Sequence, residues 1–270
     1  DGPGCGGWCF TEVSIETGTF RPAYTMGVAV GDCDRDGDWD IAYSSISEQI
    51  LLEGKQSQGS FVFDDISVPS GFSYDAVGWG TIFFDGDNDG WEDLFLSVIT
   101  VFEGTTSKLY RNDQNAQFTD VTDVSNLGRE ESEMAVTWLD IDRDGLLDLV
   151  HGQINRGYVL DRNVTANTGH WIGFRLEGGG AINRDAVGTR ITLTMLDGSK
   201  QMRELHAGES RGSNLEFMLH LGLGSDTQVQ EIEIRWPDGL TETIPGLEVD
   251  RYHQRVYPPV ETLFAGDFEV

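Results

Sequence analysis

A nine-residue acidic motif, D-x-D-x-D-G-x-x-D, occurs three times in the first 150 residues and constrains the fold more than any other feature. It is written DCDRDGDWD from Asp32, DGDNDGWED from Asp85 and DIDRDGLLD from Asp140, so the copies begin 53 and 55 residues apart. So many carboxylates repel one another at close range. A compact loop of this composition therefore needs something that cancels its charge.

The segments FTEVS, FDDIS and FTDVT keep the same step along the chain. They begin at Phe10, Phe63 and Phe118, and each phenylalanine precedes its acidic loop by 22 residues. Because a chance likeness would not hold two landmarks in phase through three copies, the sequence contains an internal repeat of about 54 residues.

The spacing within the motif favours a metal-binding loop. Carboxylates at positions 1, 3 and 5 can converge when the chain curls around a point, and the glycine at position 6 allows a sharp turn. Position 7 is Asp38, Trp91 or Leu146, and this freedom indicates that only its backbone carbonyl serves as a ligand. Hard oxygen ligands in this number suit calcium, whereas magnesium keeps its waters and zinc requires His or Cys.

The segments that flank each loop predict strands. MGVAVG before the first loop and LFLSVI after the second are short apolar runs of the kind that forms buried strands. An EF-hand needs flanking helices and a bidentate Glu at position 12, where this chain has Tyr43, Leu96 and His151. A solvated acidic turn that binds nothing is the other alternative, and three copies in register disfavour it.

Strand, acidic loop and strand at this repeat length resemble the FG-GAP/VCBS repeats of β-propellers, which include the calcium-binding blades of integrin α-subunits. The FG and GAP signatures themselves are absent, and LYRNDQNAQFTDVT is more similar to the variant of the cartilage-acidic-protein-like family. The resemblance implies three calcium ions (Ca2+), one in each loop. The implied ligands, with position 7 included, are Asp32, Asp34, Asp36, Asp38, Asp40, Asp85, Asp87, Asp89, Trp91, Asp93, Asp140, Asp142, Asp144, Leu146 and Asp148.

After about residue 165 the pattern changes to that of a second β module. RITLTMLDGSKQMREL predicts a hairpin that turns at its Asp-Gly, and EIEIRWPDGLTETI predicts another that turns at Pro-Asp-Gly. Alternation in EIEIRW places Ile232, Ile234 and Trp236 on one face. NRDAVGTRITL, LHLGLGSD and IRWPDGLTETI closely resemble the ASPIC/UnbV module, which follows such repeats in the same family.

We therefore expect an all-β chain, with a partial β-propeller of three calcium-binding FG-GAP/VCBS-type blades followed by a β-sandwich or barrel of the ASPIC/UnbV type. The predicted parts are a segment 1–9, repeats at about 10–62, 63–117 and 118–165, a β domain 166–258 and a tail 259–270. Propellers need about 4–8 blades, so three blades leave open faces. Further blades from a partner chain, from a cleaved part of the same precursor or from copies of this chain would cover them. Alternatively, the C-terminal module packs on the open side.

The charge of the chain limits its partners. It has 46 acidic and 18 basic residues and a net charge of −28, which opposes nucleic acids and anionic membranes. No apolar run of about 18 residues predicts a membrane span. The abrupt start at DGPGCGGWCF is compatible with a mature chain whose leader was removed, and loops of this kind are common in extracellular modules. We expect a secreted or extracellular protein, or one that is periplasmic or at the cell surface.

The chain has three cysteines, of which two are close together near its start. Cys5 and Cys9 are separated by three residues, which permits a small-loop disulfide in an oxidising compartment. Cys33 lies at a variable position of the first loop and is expected to be either free or paired between chains. The NVT at Asn163 is a glycosylation sequon, but chance sequons are common and we do not count it as a site.

No arrangement of residues predicts catalysis. The histidines His151, His170, His206, His220 and His253 are scattered, and no P-loop occurs. The expected function is that of a calcium-binding interaction or structural protein in adhesion, matrix or extracellular assembly, with a protein or glycan partner. The alternative is a carbohydrate-active enzyme of the lyase or dehydratase type, because some propellers of this repeat class belong to such enzymes.

Overall fold

Strands form nearly all the regular structure of the computed structural model, which describes residues 9–57, 60–101 and 103–257. The prediction of an all-β chain is confirmed. The two helices of the described chain are single turns, α1 (Ser14–Thr17) and α2 (Thr122–Ser125), and each begins four residues after a phenylalanine marker. Neither helix is long and apolar enough to cross a membrane.

The strands between Thr25 and Asp161 form an arc of three antiparallel blades. The first blade contains β1 (Thr25–Gly31), β2 (Asp40–Glu48), β3 (Ile50–Ser57) and β4 (Ser60–Asp65). The second contains β5 (Asp75–Phe84), β6 (Asp93–Ile99), β7 (Lys108–Asn112) and β8 (Phe118–Asp120). The third contains β9 (Glu133–Leu139), β10 (Asp148–Gln153) and β11 (Gly157–Asp161). Because β2 also pairs with β5, the first two blades share one curled sheet.

Each acidic loop joins the first two strands of its blade, as predicted. In the first blade Gly31 pairs with Asp40, so position 9 of the motif is the first residue of the second strand. The same pair recurs at the equivalent positions of the other two blades. The three loops therefore lie at the same end of their blades.

The blades are offset from the sequence repeats. Phe63 lies in β4 and Phe118 begins β8, so the phenylalanine marker belongs to the fourth, outermost strand of a blade. Each sequence repeat consequently begins with the strand that completes the preceding blade. By this rule Phe10 marks a fourth strand, yet within the described chain it belongs to no sheet, while the third blade ends at β11 without a fourth strand.

The C-terminal module is a sandwich of two sheets. Its strands are β12 (His170–Glu177), β13 (Arg190–Met195), β14 (Lys200–Glu204), β15 (Leu219–Gly224), β16 (Val229–Arg235), β17 (Thr241–Pro245) and β18 (Arg251–Val256). One sheet has the order β15-β12-β18, with β12 and β18 parallel, and the other has the order β14-β13-β16-β17. The two predicted hairpins, β13–β14 and β16–β17, are confirmed.

One apolar core fills the space between the two sheets of the module. Ile232, Ile234 and Trp236 are buried together, as their alternation predicts, and share this core with Ile172 and Phe174 of the other sheet. Burying a side chain of this size stabilises by about 1.5–3 kcal/mol, so the module has a substantial core of its own. The arc has two further apolar clusters, one mainly between its first and second blades and one between its second and third.

The module also packs against the first strand of each blade through its loop 207–214. Ser210 forms an antiparallel bridge with Val28 of β1, with N···O distances of 2.9 and 3.3 Å. The Arg211 guanidinium lies 3.7 Å from the ring centroid of Trp79. Thr137 of β9 donates a hydrogen bond to the Asn214 carbonyl at 2.5 Å. The module therefore contacts all three blades through this loop.

Candidate metal centres

The backbone of the three acidic loops follows one conformation. Position 4, which is Arg35, Asn88 or Arg143, is left-handed in each loop, with φ of 62°, 61° and 61°. The glycine at position 6 has φ of 90°, 93° and 87°, a conformation that side chains with a Cβ rarely adopt. These two left-handed residues curl the loop so that the side chains of its aspartates point inward.

In each loop three carboxylates converge. They offer one oxygen each, and within a loop these oxygens all lie within 4.8 Å of one another. The groups are Asp32, Asp34 and Asp36, then Asp85, Asp87 and Asp89, then Asp140, Asp142 and Asp148. Calcium–oxygen distances of about 2.3–2.6 Å allow ligand oxygens up to about 5.2 Å apart, so the donor sets fit this ion in both chemistry and size.

Position 1 has a second role in the loop backbone. The amide of Gly37 donates to Asp32 at 3.3 Å, and the equivalent amides of Gly90 and Gly145 donate to Asp85 and Asp140, each at 2.9 Å. Asp32 is buried, and its Oδ2 has no hydrogen-bond partner within the described chain. A buried carboxylate oxygen without a partner is costly, and a bound cation would satisfy it.

Position 9 ties the loop to the blade. Asp40 is fully buried and accepts hydrogen bonds from the amide of Cys33, at position 2 of the loop, and from the amide of Gly54 in β3. Asp93 and Asp148 accept the corresponding pairs of amides in their own blades. In the first two loops position 9 lies outside the group of three, and in the third loop Asp148 replaces position 5 in it. The role of position 9 as a ligand stays a prediction, as does that of the position-7 carbonyls.

Burial makes the charged form of these carboxylates unfavourable. It raises the pKa of Asp85 to about 8, and the neighbouring Asp89 adds to the effect. Burial likewise raises the pKa of Asp32 to about 7 and that of Asp34 to about 6. A positive charge placed beside Asp32 or Asp85 would favour the ionised form that burial disfavours.

In the third loop a protein cation already supplies part of that compensation. Arg162, in the segment that follows β11, contacts the carboxylate of Asp142 and lies 3.4 Å from that of Asp144. The first two loops have no equivalent contact among the described residues. Asp144 lies outside the group of three carboxylates, although the sequence gives it the same position as Asp36 and Asp89, whereas Asp142, which also contacts Arg162, belongs to the group.

Asn88, at position 4 of the second loop, connects two loops to the C-terminal module. Its Nδ2 donates to the carbonyl of Gly145 in the third loop at 2.9 Å, and its Oδ1 lies 2.7 Å from Nε2 of His220 in β15. Asn88 and His220 are both buried, and burial together with Arg203 lowers the pKa of His220 to about 3. The neutral ring therefore donates from Nε2 to Asn88.

The loops and the module approach too closely for larger residues. A Cβ on Gly145 would lie 2.0 Å from Nε1 of Trp171, which stacks on His220 with 5.1 Å between ring centroids. A Cβ on Gly222 would lie 2.1 Å from the Asp85 carboxylate. The glycines of the motif and of LHLGLGSD thus permit the module to rest directly on the acidic loops.

Charged and polar pairs extend this contact across all three loops. Arg203 of β14 lies 3.0 Å from Glu92, and the other oxygen of Glu92 accepts the Asp32 amide. Tyr252 of β18 donates to Asp140 at 2.7 Å. No local sequence pattern indicates these partners, because each pair joins residues more than 50 positions apart.

The remaining candidate residues have structural roles. His151 is fully buried, with its ring nitrogens 3.2 Å from Glu133 and 2.9 Å from Asp161. Cys33 is a free, fully buried thiol, which is the first of its two predicted states. Asn163 donates from Nδ2 to the carbonyl of Gly86 at 2.8 Å, so its amide is engaged within the fold.

The predicted pair Cys5–Cys9 reaches beyond the described residues. Cys9 is disulfide-bonded, whereas Cys5 lies outside the described part of the chain. The pairing itself therefore stays a prediction.

Comparison with known proteins agrees with this architecture. The FG-GAP-like repeat family matches residues 85–151, and the ASPIC and UnbV family matches residues 179–261. Cartilage acidic protein 1 of Mus musculus is 26% identical over 267 residues, that of Homo sapiens 26% over 260 and that of Xenopus tropicalis 25% over 264. The alignments cover 95%, 92% and 92% of this chain but 41%, 39% and 40% of those relatives, so the chain spans about two fifths of their length. The chain thus matches the FG-GAP-like repeat family and the ASPIC and UnbV family over these two stretches, and it is similar to cartilage acidic protein 1 over most of its own length.

Proposed function

We propose that the three acidic loops hold calcium and that calcium joins the arc to the ASPIC/UnbV module in an extracellular interaction protein. The observation that carries the proposal is the convergence of three carboxylates in each loop at the surface where the module rests. Calcium in each loop would supply positive charge and oxygen coordination. The amides of Gly37, Gly90 and Gly145 keep the position-1 carboxylates oriented toward the centre of each loop.

The contacts between loops and module make calcium and domain packing interdependent. Asn88 holds its hydrogen bonds to Gly145 and His220 only while the second and third loops keep their left-handed conformation. Without compensation, the carboxylates of each loop repel one another, and the loops open or take up protons. Loss of calcium should therefore weaken the contact between the acidic loops and the module before it disrupts the apolar core of the arc or of the module.

Three features support an extracellular setting for this function. Cys9 is disulfide-bonded, which is typical of oxidising compartments. Calcium sites of modest affinity are filled where free calcium is plentiful. The similar proteins are named for cartilage and for acidity, and this chain shares the acidity with a net charge of −28. The partner is a protein or a glycan, and the acidic surface favours one that carries basic groups.

Hydrogen–deuterium exchange in calcium and in excess chelator tests the proposal. We expect chelation to speed exchange in the acidic loops and at the amides of Gly169 and Gly224, which donate to loop-2 carbonyls. The hairpins β13–β14 and β16–β17 serve as the internal control, because their hydrogen bonds belong to the core of the module. Equal protection in calcium and in chelator would contradict the proposal. If chelation sped exchange in the hairpins as much as in the loops, it would have unfolded the chain generally and not only released the module from the loops. That result would also contradict the proposal.

A further inference from the structure

A small cavity, which we call the interface cavity, lies where the module meets the second and third blades. Its volume is about 40 Å³, and its walls include Phe84 of β5, Trp138 of β9, Arg203 of β14 and His220 of β15. About 10–15 Å³ is enough for one water molecule, whereas pockets for small organic ligands have about 300–1,000 Å³. The interface cavity therefore has room for one or a few water molecules and for nothing as large as a sugar ring.

Three residues in the wall of the interface cavity each have a buried polar atom without a hydrogen-bond partner within the described chain. The atoms are Nη2 of Arg203, Nε1 of Trp138 and Nδ1 of His220, and the residues are 8%, 8% and 5% exposed. A buried polar group without a partner is costly, and native proteins contain few of them. Three such atoms around one cavity therefore point to one shared partner inside it.

The guanidinium of Arg203 is held in place by its other nitrogens. Its Nε lies 3.0 Å from Glu92, and its Nη1 donates to the Met202 carbonyl at 2.7 Å. Because the guanidinium is planar and rigid, these two contacts also fix the position of Nη2. Rotation of the side chain toward another protein partner for Nη2 would break both contacts.

The imidazole of His220 is held in a similar way. Its Nε2 lies 2.7 Å from Asn88 Oδ1, and its ring stacks on Trp171 with 5.1 Å between the ring centroids. Burial together with Arg203 lowers the pKa of His220 to about 3, so the ring is neutral and carries its proton on Nε2. Its Nδ1 is therefore an acceptor without a proton.

The hydrogen-bonding character of the three atoms selects the occupant. Arg203 Nη2 and Trp138 Nε1 donate, whereas His220 Nδ1 accepts. A metal cation cannot accept the two N–H groups. A halide ion cannot donate to Nδ1, and the charge of Arg203 is already balanced by Glu92. A water molecule both accepts and donates, and buried waters typically make about three hydrogen bonds.

We propose that the interface cavity binds an ordered water molecule that bridges Trp138 of the third blade to Arg203 and His220 of the module. The water accepts from Arg203 Nη2 and Trp138 Nε1, and it donates to His220 Nδ1. Its second hydrogen is available to Glu209, which lines the same cavity, is 8% exposed and accepts a 3.3 Å hydrogen bond from the Val30 amide.

The bridge adds a ligand to the contact between the arc and the module. Trp138 belongs to the first strand of the third blade, whereas Arg203 and His220 belong to the two different sheets of the module. A water-mediated hydrogen bond is nearly as favourable in enthalpy as a direct one. The water thus joins three sheets at one point, and the inference does not depend on whether the acidic loops hold calcium.

A crystal structure of the whole chain, at a resolution that shows ordered water, tests the proposal. We expect density for an oxygen at about 2.7–3.2 Å from Arg203 Nη2, Trp138 Nε1 and His220 Nδ1. An interface cavity without density would overturn the proposal. A direct hydrogen bond between Arg203 Nη2 and His220 Nδ1 would also overturn it, because no bridge is then needed.

Crystals grown in sodium bromide distinguish water from a halide ion. Bromide scatters anomalously at its absorption edge, whereas water does not. We expect no anomalous signal in the interface cavity. A signal there would show that the cavity takes an anion, and it would overturn the proposal.

Nuclear magnetic resonance tests the same contact in solution. The indole proton of Trp138 is assigned from its contacts with neighbouring side chains and from its loss in Trp138→Phe, and the measurement itself uses the wild type. We expect a rotating-frame cross-peak between this proton and water, with the sign of a dipolar contact and not that of proton exchange. A wild-type spectrum without this cross-peak would overturn the proposal.

Discussion

Replacement of Asn88 by alanine tests how far the acidic loops and the ASPIC/UnbV module depend on each other. Asn88 is 1% exposed and bonds both Gly145 of the third loop and His220 of the module. Alanine removes both hydrogen bonds, and it leaves a carbonyl and a ring N–H buried without partners. It also places a residue that disfavours positive φ at a position where φ is 61°.

The expected cost is large for a single polar residue. Each buried partner that loses its hydrogen bond costs about 1–3 kcal/mol, and the left-handed backbone adds about 1 kcal/mol with alanine. The sum is about 3–7 kcal/mol of the free energy of unfolding. For a chain of this size each kcal/mol corresponds to about 2–4 °C in Tm, so we expect a decrease of at least about 6 °C.

Differential scanning calorimetry in calcium measures this decrease, and two variants separate its causes. Asn155→Ala is the matched control, because Asn155 is an exposed turn residue with φ of 65°, and it should lose only the backbone contribution. Asn88→Gly keeps the left-handed conformation and should lose only the hydrogen bonds. If Asn88→Ala lowers Tm no more than Asn155→Ala does, the two hydrogen bonds do not join the loops to the module and the reasoning is refuted.

Three further predictions concern buried groups. Burial disfavours the imidazolium of His151, but the two carboxylates beside it outweigh burial and raise its pKa above the ordinary value. The stability that this charge provides should be fully present below about pH 6.5 and disappear as pH rises through the raised pKa. The difference in the free energy of unfolding between wild type and His151→Gln, measured by urea titration, should therefore shrink with rising pH. A difference that stays constant would contradict this prediction. Arg203→Met should cost about 3–5 kcal/mol in the same titrations, because the buried Glu92 loses its cationic partner, and a cost below about 1 kcal/mol would refute the pairing. Burial raises the pKa of the Cys33 thiol, so a thiol reagent should modify it only after denaturation, and rapid labelling of the native chain would show that the site is open.

The sequence was informative wherever a pattern repeated or alternated locally. The acidic motif predicted three loops between strands because its spacing, its glycine and its flanking apolar runs all act within about 20 residues. The hairpins of the module followed from Asp-Gly turns between alternating strands, which is again local chemistry. The offset between repeats and blades could not be read in this way, because Phe63 looks like the start of a unit until its pairing with Gly54 is known.

The contacts that join the parts were beyond the reach of sequence patterns. Nothing in DGDNDGWED distinguishes Asn88 from a solvent-exposed turn residue, since Asn is common at positive φ for its own reasons. Its partner His220 is 132 positions away and sits in an apolar strand that carries no polar signal. The grouping of Asp140, Asp142 and Asp148 in the third loop was likewise not readable from the motif, because all three loops have aspartate at the same four positions of the motif.

The number of calcium ions per folded chain tests the central claim most directly. The chain is dialysed to equilibrium against salt buffer of known calcium concentration, and metal and protein are analysed on both sides of the membrane, so that the excess of calcium on the protein side gives the bound ion. We predict three calcium ions per chain, with Asp85→Asn and Asp32→Asn each removing one. Folded chain that retains no calcium, or whose calcium content is unchanged by both substitutions, would contradict the account.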